Sequence, residues 1–543
     1  MTKYIVINGG SISGIGKGII TSSIGKILQQ YGFSVTAVKI DPYINVDSGT
    51  LNPKEHGEAW VTYDGMETDQ DIGNYERFLG TKLPRINSIT TGQIYKSVID
   101  KEREGKYKGK TVQLNPHITD EIKNRVIDCG ANKIIDGDRY DIVLVEIGGI
   151  VGDYENIPFL AGMKSLECTV GKENVLYGLV TYMPIPSKLG EMKTKPTQTA
   201  IREIMQHGIF PDILLCRGES ILDDVRKDKI CVYANIKKEC IISVPDMESI
   251  YQVPFVLEQQ ALGYKICQKL NIMPKAQIDW NTWKVRTDAI VNSEKILNVS
   301  VICKYLNIGD HKITDSYLSI AEALKHAGSH FSAKININWI NADDFNPDIL
   351  PANGGILVPG GFGEHGVDGK MNAIKYARLK HVPYLGICYG MQLAVVEYAR
   401  NVCNMQDAHT TEINKRTEYP VITILENQKN ITQLGGTLRL GEYKSELIPD
   451  TQVRNIYGCD HAIERHRHRY EVNPEYIKKM EENGMIFSGK YFDSNTDTLL
   501  MEYLEIPSNE FFIGTQSHPE LNSSLENPNP IFISFIEHIF RRS

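Results

Sequence analysis

Residues 383–397 read PYLGICYGMQLAVVE, an apolar strand-like run that breaks at Gly386-Ile387-Cys388-Tyr389-Gly390 into a helix-like run. Small residues two positions before and after a nucleophile predict a sharp strand-to-helix turn, which lifts the nucleophile clear of a sheet. The same turn aims the amide of the following residue at a developing oxyanion. This stretch therefore predicts an α/β sheet with a reactive thiol, Cys388, at the carboxyl end of a strand.

A second stretch, GTQSHPEL at residues 514–521, supplies a base and a carboxylate to orient it, His518 and Glu520. A buried strand cysteine and an unrelated loop histidine would also account for a Cys/His pair. The glycine elbow and the His-Pro-Glu ending together favour the nucleophile. We therefore predict thioester chemistry by Cys388, His518 and Glu520.

Length and composition exclude several classes of protein. A chain of 543 residues is too long for one hydrophobic core, so two or three domains are expected. The net charge of −8 and the lack of a long basic run argue against a nucleic-acid surface. The ten cysteines have no paired spacing, which is typical of reduced thiols in the cytosol. No apolar run could cross a bilayer, and a strand-like run begins within three residues, leaving no room for a signal peptide. We expect a soluble, cytoplasmic protein.

Two alternations of apolar strands and helix-sized stretches run along the chain. In the first, strand-like runs occur at 3–8, 33–41, 142–147, 175–182, 213–216 and 240–244. In the second, strands are predicted at 299–303, 335–340, 355–359 and 384–388, with a helix at 315–326. Continuous apolar strands alternating with helices predict doubly wound parallel sheets. The predicted organisation is a domain at 1–272, a linker at 273–297 and a second domain at 298–543.

A glycine-rich loop, GGSISGIGKG at residues 9–18, follows the first strand and opens a helix. Its backbone amides and the helix N-terminus predict an anion site, in which Lys17 neutralises phosphate oxygens. Five residues rather than four separate Gly10 from Gly16, and Gly18 replaces the Ser/Thr that holds magnesium in a P-loop. A glycine-rich turn with a surface lysine is the alternative.

Such a loop needs carboxylates from elsewhere to hold magnesium. The candidates are Asp69, Asp71 and Glu146. Glu146 closes an apolar strand before two glycines, which resembles a Walker-B acid, and a buried acid should have a partner. A solvated acidic face would explain the run at 64–71 equally well.

Lysines interrupt two further stretches. Lys39 ends the second predicted strand, and Lys193 and Lys195 lie within GEMKTKPTQ at 190–198. Lysines suit a polyanionic substrate as phosphate point charges. A charged surface loop is the alternative for each cluster.

Taken in order, these motifs resemble the CTP synthase family over nearly the whole chain. The matching stretches are GGSISGIGKGI (9–19), KIDPYINVDSGT (39–50), HGEAWV (56–61), DGMETDQDIGNYERF (64–78), VEIGGIVGD (145–153), GEMKTKPTQ (190–198), VPGGFGEHG (358–366), LGICYGMQLAVVEYAR (385–400), LGGTLRLG (434–441), ERHRHRYEVNP (464–474) and QSHPE (516–520). The resemblance implies a P-loop-like, Rossmann-like amidoligase domain joined to a class I glutamine amidotransferase domain.

The resemblance also implies sets of site residues. ATP would be bound by Gly14, Ile15, Gly16, Lys17, Gly18, Ile19, Asp71, Pro245, Asp246 and Met247, with magnesium on Asp71 and Glu146. UTP or CTP would be bound by Ser13, Asp153, Tyr154, Glu155, Lys193, Thr194, Lys195, Pro196, Thr197, Gln198 and Lys229. Glutamine would be bound by Gly361, Tyr389, Gly390, Met391, Gln392, Glu412 and Arg469, with oxyanion donors at Gly361 and around Tyr389. Residues 435–440 resemble a region tied to GTP activation.

This chain departs from the family pattern at three places. Ile150 and Tyr154 replace smaller residues near the implied CTP pocket, and Tyr389 replaces the leucine usual after the nucleophile. Residues 407–412 read DAHTTE where an N-x-N-S-T-E run is common. None of these departures removes a catalytic group, but the affinity for CTP becomes open to question.

The implied activity is that of a ligase of pyrimidine biosynthesis. It aminates UTP to CTP with ATP and with ammonia from glutamine, through a 4-phosphorylated UTP. The implied effectors are Mg²⁺ with ATP, GTP as activator and CTP as inhibitor, in a homotetramer that can form filaments. The alternatives are a filament-forming structural or regulatory paralogue, or another glutamine-dependent amide synthase.

Overall fold

The computed structural model describes residues 1–52, 56–131, 139–187, 190–304, 307–308, 311–312, 315–424, 436–494 and 496–543. The chain divides into two units by its internal contacts. The first comprises Met1–Asp47 and Asp69–Asn281, and the second comprises Ser48–Thr68 and Thr282–Ser543. The segment Ser48–Thr68 thus groups with the second unit, although it lies within the predicted first domain. The boundaries predicted from the sequence stay a prediction.

The strands, numbered in chain order, are β1 Lys3–Gly9, β2 Val35–Asp41, β3 Trp60–Val61, β4 Glu67–Thr68, β5 Ser88–Thr90, β6 Ile142–Ile147, β7 Val175–Tyr182, β8 Ile213–Gly218, β9 Ile241–Pro245, β10 Ile296–Cys303, β11 Asn307–Ile308, β12 His311–Lys312, β13 Lys334–Asn341, β14 Gly355–Val358, β15 Tyr384–Ile387, β16 His409–Thr410, β17 Pro420–Ile424, β18 Arg439–Leu447, β19 His461–His468, β20 Tyr470–Val472, β21 Ile486–Asp493, β22 Thr498–Glu505 and β23 Phe512–Thr515.

The α-helices are α1 Lys17–Gln30, α2 Gln70–Leu79, α3 Thr91–Arg103, α4 Thr119–Ala131, α5 Ile157–Val170, α6 Lys195–Gln206, α7 Asp224–Ala234, α8 Val253–Gln259, α9 Leu262–Lys269, α10 Asn281–Asn292, α11 Leu318–His330, α12 Val367–Lys380, α13 Tyr389–Asn401, α14 Gln452–Tyr457, α15 Pro474–Glu482 and α16 Pro530–Arg542. The helix α10 lies within the predicted linker. No helix in the described part of the chain is both long enough and apolar enough to span a bilayer.

The first unit is built on a parallel sheet with the strand order β5-β2-β6-β1-β7-β8-β9. Its central strands β1 and β6 are buried except for the half-buried Lys3, as their continuous apolar runs predict. Because the strands are parallel, the glycine loop after β1 and Glu146 in β6 reach the same edge of the sheet. The predicted doubly wound α/β fold is confirmed for this unit.

The second unit contains a mixed sheet with the order β13-β10-β14-β15-β23-β22-β21-β18-β19. The strands from β13 to β23 are parallel, and those from β23 to β19 are antiparallel. Apolar clusters are buried on both faces, one including Val358 and Ile374 and the other including Leu357 and Phe535. The α/β class is confirmed here as well, and the antiparallel strands extend the fold beyond the predicted parallel ones.

Candidate functional site

Parallel strand pairing assembles the first site, which lies in the second unit. Strand β15 pairs with β14 on one side and with β23 on the other, with Gly386 opposite Val358 and Ile387 opposite Thr515. All three strands therefore end at one edge of the sheet. Cys388 follows β15 at this edge, and His518 follows β23, so residues far apart in sequence become neighbours.

Cys388 occupies a strained turn between β15 and α13. Its φ of 51° and ψ of −100° are unusual for a residue with a side chain. The flanking glycines make the turn possible, because a Cβ atom on Gly390 would lie 2.1 Å from the Val358 carbonyl oxygen, and one on Gly386 would lie 2.5 Å from the Tyr384 hydroxyl. The predicted nucleophile elbow is therefore present, and the Cys388 side chain is 2% exposed.

His518 is held by two hydrogen bonds. Its Nδ1 lies 2.7 Å from Glu520 Oε1, and its backbone amide donates to the Arg465 carbonyl at 2.7 Å. A Cβ atom placed on Gly360 would lie 2.9 Å from His518 Cε1 and 3.7 Å from Cys388 Cβ, so one backbone segment adjoins both residues. Burial acts to lower the pKa of His518, but Glu520 and Cys388 outweigh it and raise the pKa to about 10. A protonated imidazole beside sulfur favours a thiolate–imidazolium pair.

A cavity of about 580 Å³ opens onto these residues. Among its walls are Cys388, His518 and Glu520, together with three residues predicted to bind glutamine, namely Gly361, Glu412 and Arg469. Four other predicted glutamine-binding residues are not among the lining residues, namely Tyr389, Gly390, Met391 and Gln392. These four belong to the first turn of α13, where their side chains are buried.

Three of the lining residues are anchored by hydrogen bonds to residues behind the cavity wall. Glu412 Oε1 accepts the Gly363 amide at 2.6 Å, and Arg469 Nη2 donates to Thr437 Oγ1 at 2.9 Å. Gln392 donates to the Tyr470 carbonyl at 2.9 Å. Gln392 thus braces Tyr470, which follows Arg469 in the chain, and does not itself line the cavity.

Sequence reasoning missed an ion pair beside this cavity. Glu67, 1% exposed, accepts from Arg467 Nε at 2.8 Å and from the Gly436 amide at 3.2 Å. The Arg467 carbonyl in turn lies 3.9 Å from Cys388 Sγ. The acidic run at 64–71 is therefore partly buried at Glu67, a fact that its composition does not reveal. Within the predicted GTP-linked region, Gly435 lies outside the described residues, and Arg439 is buried against Glu471 and Glu502.

The second site lies at the edge of the first unit's sheet. Gly14 and Gly16 have φ values of 69° and 78°, which side chains rarely adopt, and Gly16 immediately precedes α1. Lys17 is 8% exposed, and its Nζ donates to the Gly149 carbonyl at 2.8 Å. Ser13 is exposed on the same loop. The loop thus has the strand–glycine–helix geometry that suits an anion.

Four carboxylates surround Lys39 behind this loop. Lys39 Nζ contacts Asp71 and lies 3.6 Å from Asp41, 3.6 Å from Asp69 and 3.5 Å from Glu146. Burial acts to lower the pKa of Lys39, but these acids hold it well above its ordinary value. Burial raises the pKa of Glu146, and repulsion from Asp71 adds to the rise.

This donor set suits a magnesium ion. Carboxylate oxygens are the ligands that Mg²⁺ prefers, and here the acids outnumber the lysine that neutralises them. Glu146 is also oriented, because the buried Tyr75 hydroxyl donates to its Oε2 at 2.6 Å. Among the described residues, no three acids, histidines or cysteines already form a coordination sphere; the acids converge on Lys39 instead.

The space beside Gly18 is filled, which accounts for the lack of the Ser or Thr that a P-loop has at this position. A Cβ atom on Gly18 would lie 2.0 Å from Asp71 Oδ1. The Asp71 carboxylate therefore occupies the space that a Ser or Thr side chain would fill. The Asp71 carboxylate thus lies where the Ser or Thr hydroxyl of a P-loop would lie.

The predicted nucleotide residues lie around the same sheet edge. Thr194 immediately precedes α6, Gln198 Nε2 donates to Thr194 Oγ1 at 3.3 Å, and Thr197 is buried in the first turn of the helix. Asp153 accepts the Ile150 amide at 2.9 Å, whereas Tyr154 is 86% exposed. Eight further residues predicted to bind nucleotides are exposed or half-buried, namely Glu155, Lys193, Lys195, Pro196, Lys229, Pro245, Asp246 and Met247.

Arg217, which the sequence analysis did not select, also reaches this edge. It lies in β8, and its Nη2 donates to Asp246 Oδ1 at 2.7 Å. A Cβ atom on Gly16 would lie 4.0 Å from Arg217 Nε. Arg217 therefore links the predicted adenine and phosphate positions. An arginine closing an apolar strand is the signal that could have found it.

Comparisons with known proteins agree with both halves. The profile of the family described as "CTP synthase N-terminus" matches residues 3–272, and that of "Glutamine amidotransferase class-I" matches residues 312–538. The CTP synthase of Methanocaldococcus jannaschii is 46% identical over 540 residues, covering 98% of this chain and 97% of that protein. The CTP synthase of Methanococcus maripaludis is 45% identical over 545 residues, covering 98% and 99%. The glutaminase domain of Trypanosoma brucei CTPS, solved with bound acivicin, is 31% identical, covers 46% of this chain and 95% of that chain, and has a TM-score of 0.41.

We expect Gly18→Ala to weaken ATP binding in the presence of Mg²⁺ by about tenfold or more, because the added methyl group and Asp71 cannot occupy the same space. Isothermal titration calorimetry with and without Mg²⁺ measures this loss. Wild-type affinity in the folded variant would contradict the assignment of Asp71 to this position.

We expect Glu520→Gln to slow the alkylation of Cys388 at pH 7 by about tenfold. Removing the carboxylate charge lowers the pKa of His518 from its raised value of about 10, so less of the thiolate–imidazolium pair persists at neutral pH. The rate is measured with iodoacetamide by mass spectrometry of the Cys388 peptide between pH 5.5 and 9. Glu510→Gln, an exposed change in the same unit, is the control. Equal rates of Cys388 alkylation in the two variants would show that Glu520 does not activate the thiol.

Proposed function

Because this chain belongs to the CTP synthase family, we propose that it catalyses the ATP-dependent amination of UTP to CTP with ammonia released from glutamine. The observation that supports the proposal is that two clusters of reactive or charged side chains occur in one chain. One joins an elbow cysteine to a His–Glu pair, and the other joins a phosphate loop to buried acids. A purely structural or regulatory role would not require these groups to remain intact.

The glutaminase half uses covalent catalysis. The Cys388 thiolate attacks the glutamine carboxamide, and backbone amides at Gly361 and Tyr389 stabilise the resulting oxyanion. His518, which Glu520 and Cys388 keep protonated in spite of its burial, delivers its proton to the departing ammonia. Water then hydrolyses the glutamyl thioester, with His518 accepting the proton of the water.

Glutamine selection follows from the charges at the cavity wall. Glu412 and Arg469 both line the cavity, where Glu412 would bind an ammonium group and the Arg469 guanidinium would bind a carboxylate. An α-amino acid presents both charges close together, so this pair suits glutamine. Gln392 contributes indirectly by bracing Tyr470 beside Arg469.

The synthetase half transfers a phosphoryl group. The loop amides, Lys17 and Arg217 would bind the phosphates of ATP, and the UTP 4-oxygen would attack the terminal phosphoryl group. Asp71 and Glu146 would hold magnesium, whose charge when bound neutralises phosphate oxygens. Ammonia then displaces the 4-phosphate and yields CTP. Lysines 193, 195 and 229 would neutralise the UTP triphosphate.

Regulation and assembly form part of the same proposal. GTP would activate glutamine hydrolysis, and CTP would compete with UTP at residues 153–155. The exposed ring of Tyr154 and the bulk of Ile150 would alter the affinity of this pocket for CTP. A cytoplasmic homotetramer, with filaments as a further assembly, is the expected form.

We expect Cys388→Ala to abolish glutamine-dependent CTP synthesis while leaving ammonia-dependent synthesis intact. Loss of the nucleophile lowers turnover on the order of a million-fold, and added ammonia bypasses the thioester. The assay follows CTP formation from UTP and ATP with either nitrogen donor. Cys459→Ala, which changes an exposed cysteine of the same unit, should keep both activities. Loss of both activities in folded Cys388→Ala protein would refute the division of labour.

We expect Lys17→Ala and Asp71→Asn to abolish CTP synthesis from both glutamine and ammonia, because both remove charge from the phosphate site. Their Cys388 sites should remain able to hydrolyse glutamine. The exposed pair Lys96 and Asp100 offers matched controls, Lys96→Ala and Asp100→Asn. Near wild-type ammonia-dependent synthesis in either test variant would remove that residue from the phosphate site.

A further inference from the structure

Residues 359–363, Pro-Gly-Gly-Phe-Gly, form a strip that follows β14 and lies beside Cys388. Side chains bind three of its five carbonyl oxygens. Lys370 Nζ donates to the Pro359 carbonyl at 3.3 Å, and Lys304 Nζ donates to the carbonyls of Phe362 and Gly363, the latter at 3.0 Å. The Tyr389 hydroxyl also donates to the Gly363 carbonyl, at 2.8 Å. Such a concentration of donors on irregular backbone means that the strip is held in one orientation.

These hydrogen bonds to carbonyl oxygens also fix the direction of neighbouring amide N–H groups in the strip. In a trans peptide the carbonyl of one residue and the amide N–H of the next point in opposite directions. A donor that holds the Phe362 carbonyl therefore turns the Gly363 N–H the other way, and this N–H is indeed bound by Glu412 at 2.6 Å. By the same rule, Lys370 at the Pro359 carbonyl sets the direction of the Gly360 N–H. Gly360 is the glycine that adjoins both His518 and Cys388.

Lys370 and Tyr389 form a buried pair behind the strip. Their side chains are 0% and 1% exposed, and Lys370 Nζ lies 5.3 Å from the centre of the Tyr389 ring. A buried ammonium is costly unless it is compensated, and the ring face and the Pro359 carbonyl supply compensation. The pKa of Lys370 is lowered to about 8, chiefly by burial and also by Lys304, while Cys303 and Cys388 oppose the shift. The amine therefore keeps its charge at neutral pH.

Position 389 makes this arrangement a property of this chain. A leucine, which is usual there in the resembling family, has neither a hydroxyl for the Gly363 carbonyl nor an aromatic face for Lys370. We propose that Tyr389 and Lys370 are positioning residues that hold the 359–363 strip in place beside Cys388. Lys370 fixes the peptide between Pro359 and Gly360, and Tyr389 fixes the Gly363 carbonyl, so that the Gly361 amide between them stays within reach of the oxyanion. This role rests on the proposed glutaminase function and adds to it two residues that act through the backbone.

The test compares Lys370→Met, Tyr389→Phe and Tyr389→Leu with the wild type. Lys375→Met, an exposed change on the same helix as Lys370, is one control. Tyr398→Phe is the other, since it removes a tyrosine hydroxyl bound to the Asn483 carbonyl at 2.7 Å on the same helix as Tyr389. For each protein, kcat and KM for glutamine hydrolysis are measured, together with ammonia-dependent CTP synthesis in the same preparation. The latter rate reports the amount of folded enzyme.

We expect kcat for glutamine hydrolysis to fall about tenfold in Lys370→Met and about threefold in Tyr389→Phe, with KM changed by less than about twofold. Tyr389→Leu should lose at least as much as Tyr389→Phe, because the ring face is lost as well. A misdirected amide weakens only the transition state, so ammonia-dependent synthesis should not change.

Values of kcat equal to those of the control variants would overturn the inference, as would a rise in KM at constant kcat, which would mean that the strip only binds substrate. If Lys370→Met does not fold, the near-isosteric Tyr389→Phe still decides the outcome. Failure of the proposed function gives a different result, namely a wild-type protein that does not release glutamate from glutamine.

Discussion

Parallel hydrogen bonding of β15 to both β14 and β23 is the constraint on which the second unit's site depends. It brings three chain segments to one sheet edge: the 359–363 strip, the elbow cysteine, and the histidine after β23. Each segment is separated from the next by a helix or by a set of antiparallel strands. A slip of one residue in either pairing would turn the side chains of β15 to opposite faces and displace Cys388 from His518. The buried clusters on both faces of the sheet oppose such a slip.

The two units stabilise their buried charges in different ways. In the second unit, one carboxylate faces one imidazole, and the pair keeps a proton where the chemistry needs it. In the first unit, several carboxylates share Lys39, and burial with mutual repulsion raises the pKa of Glu146. An excess of buried acid is expensive without a further cation. A carboxylate beside an imidazole therefore prepares a proton donor at one site, and an excess of buried acids prepares a cation site at the other.

Both sites depend on the conformation and orientation of the backbone. Gly386 and Gly390 permit the turn at Cys388, and Gly18 leaves room for the Asp71 carboxylate. Side chains such as Lys304 and Lys370 then fix the direction of backbone groups without any need to touch a substrate. Replacing one of these glycines fills the space that the turn or the carboxylate needs. Replacing one of these side chains frees the backbone group that it holds in one direction. The two kinds of change should consequently damage the sites in different ways.

Local patterns in the sequence determined the α/β class, the elbow at Cys388, the His–Glu pair and the phosphate loop, because strand periodicity and turn chemistry act over a few neighbouring residues. Tertiary structure alone decided which distant groups meet. Glu67 and Arg467 pair across 400 residues, Asp71 fills the space beside Gly18, and Lys370 lies against Tyr389. The grouping of Ser48–Thr68 with the second unit and the antiparallel strands beyond β23 also lay outside local patterns. The physical reason is that the partner of a buried charge is chosen by the packing of whole elements, and no local window contains both partners.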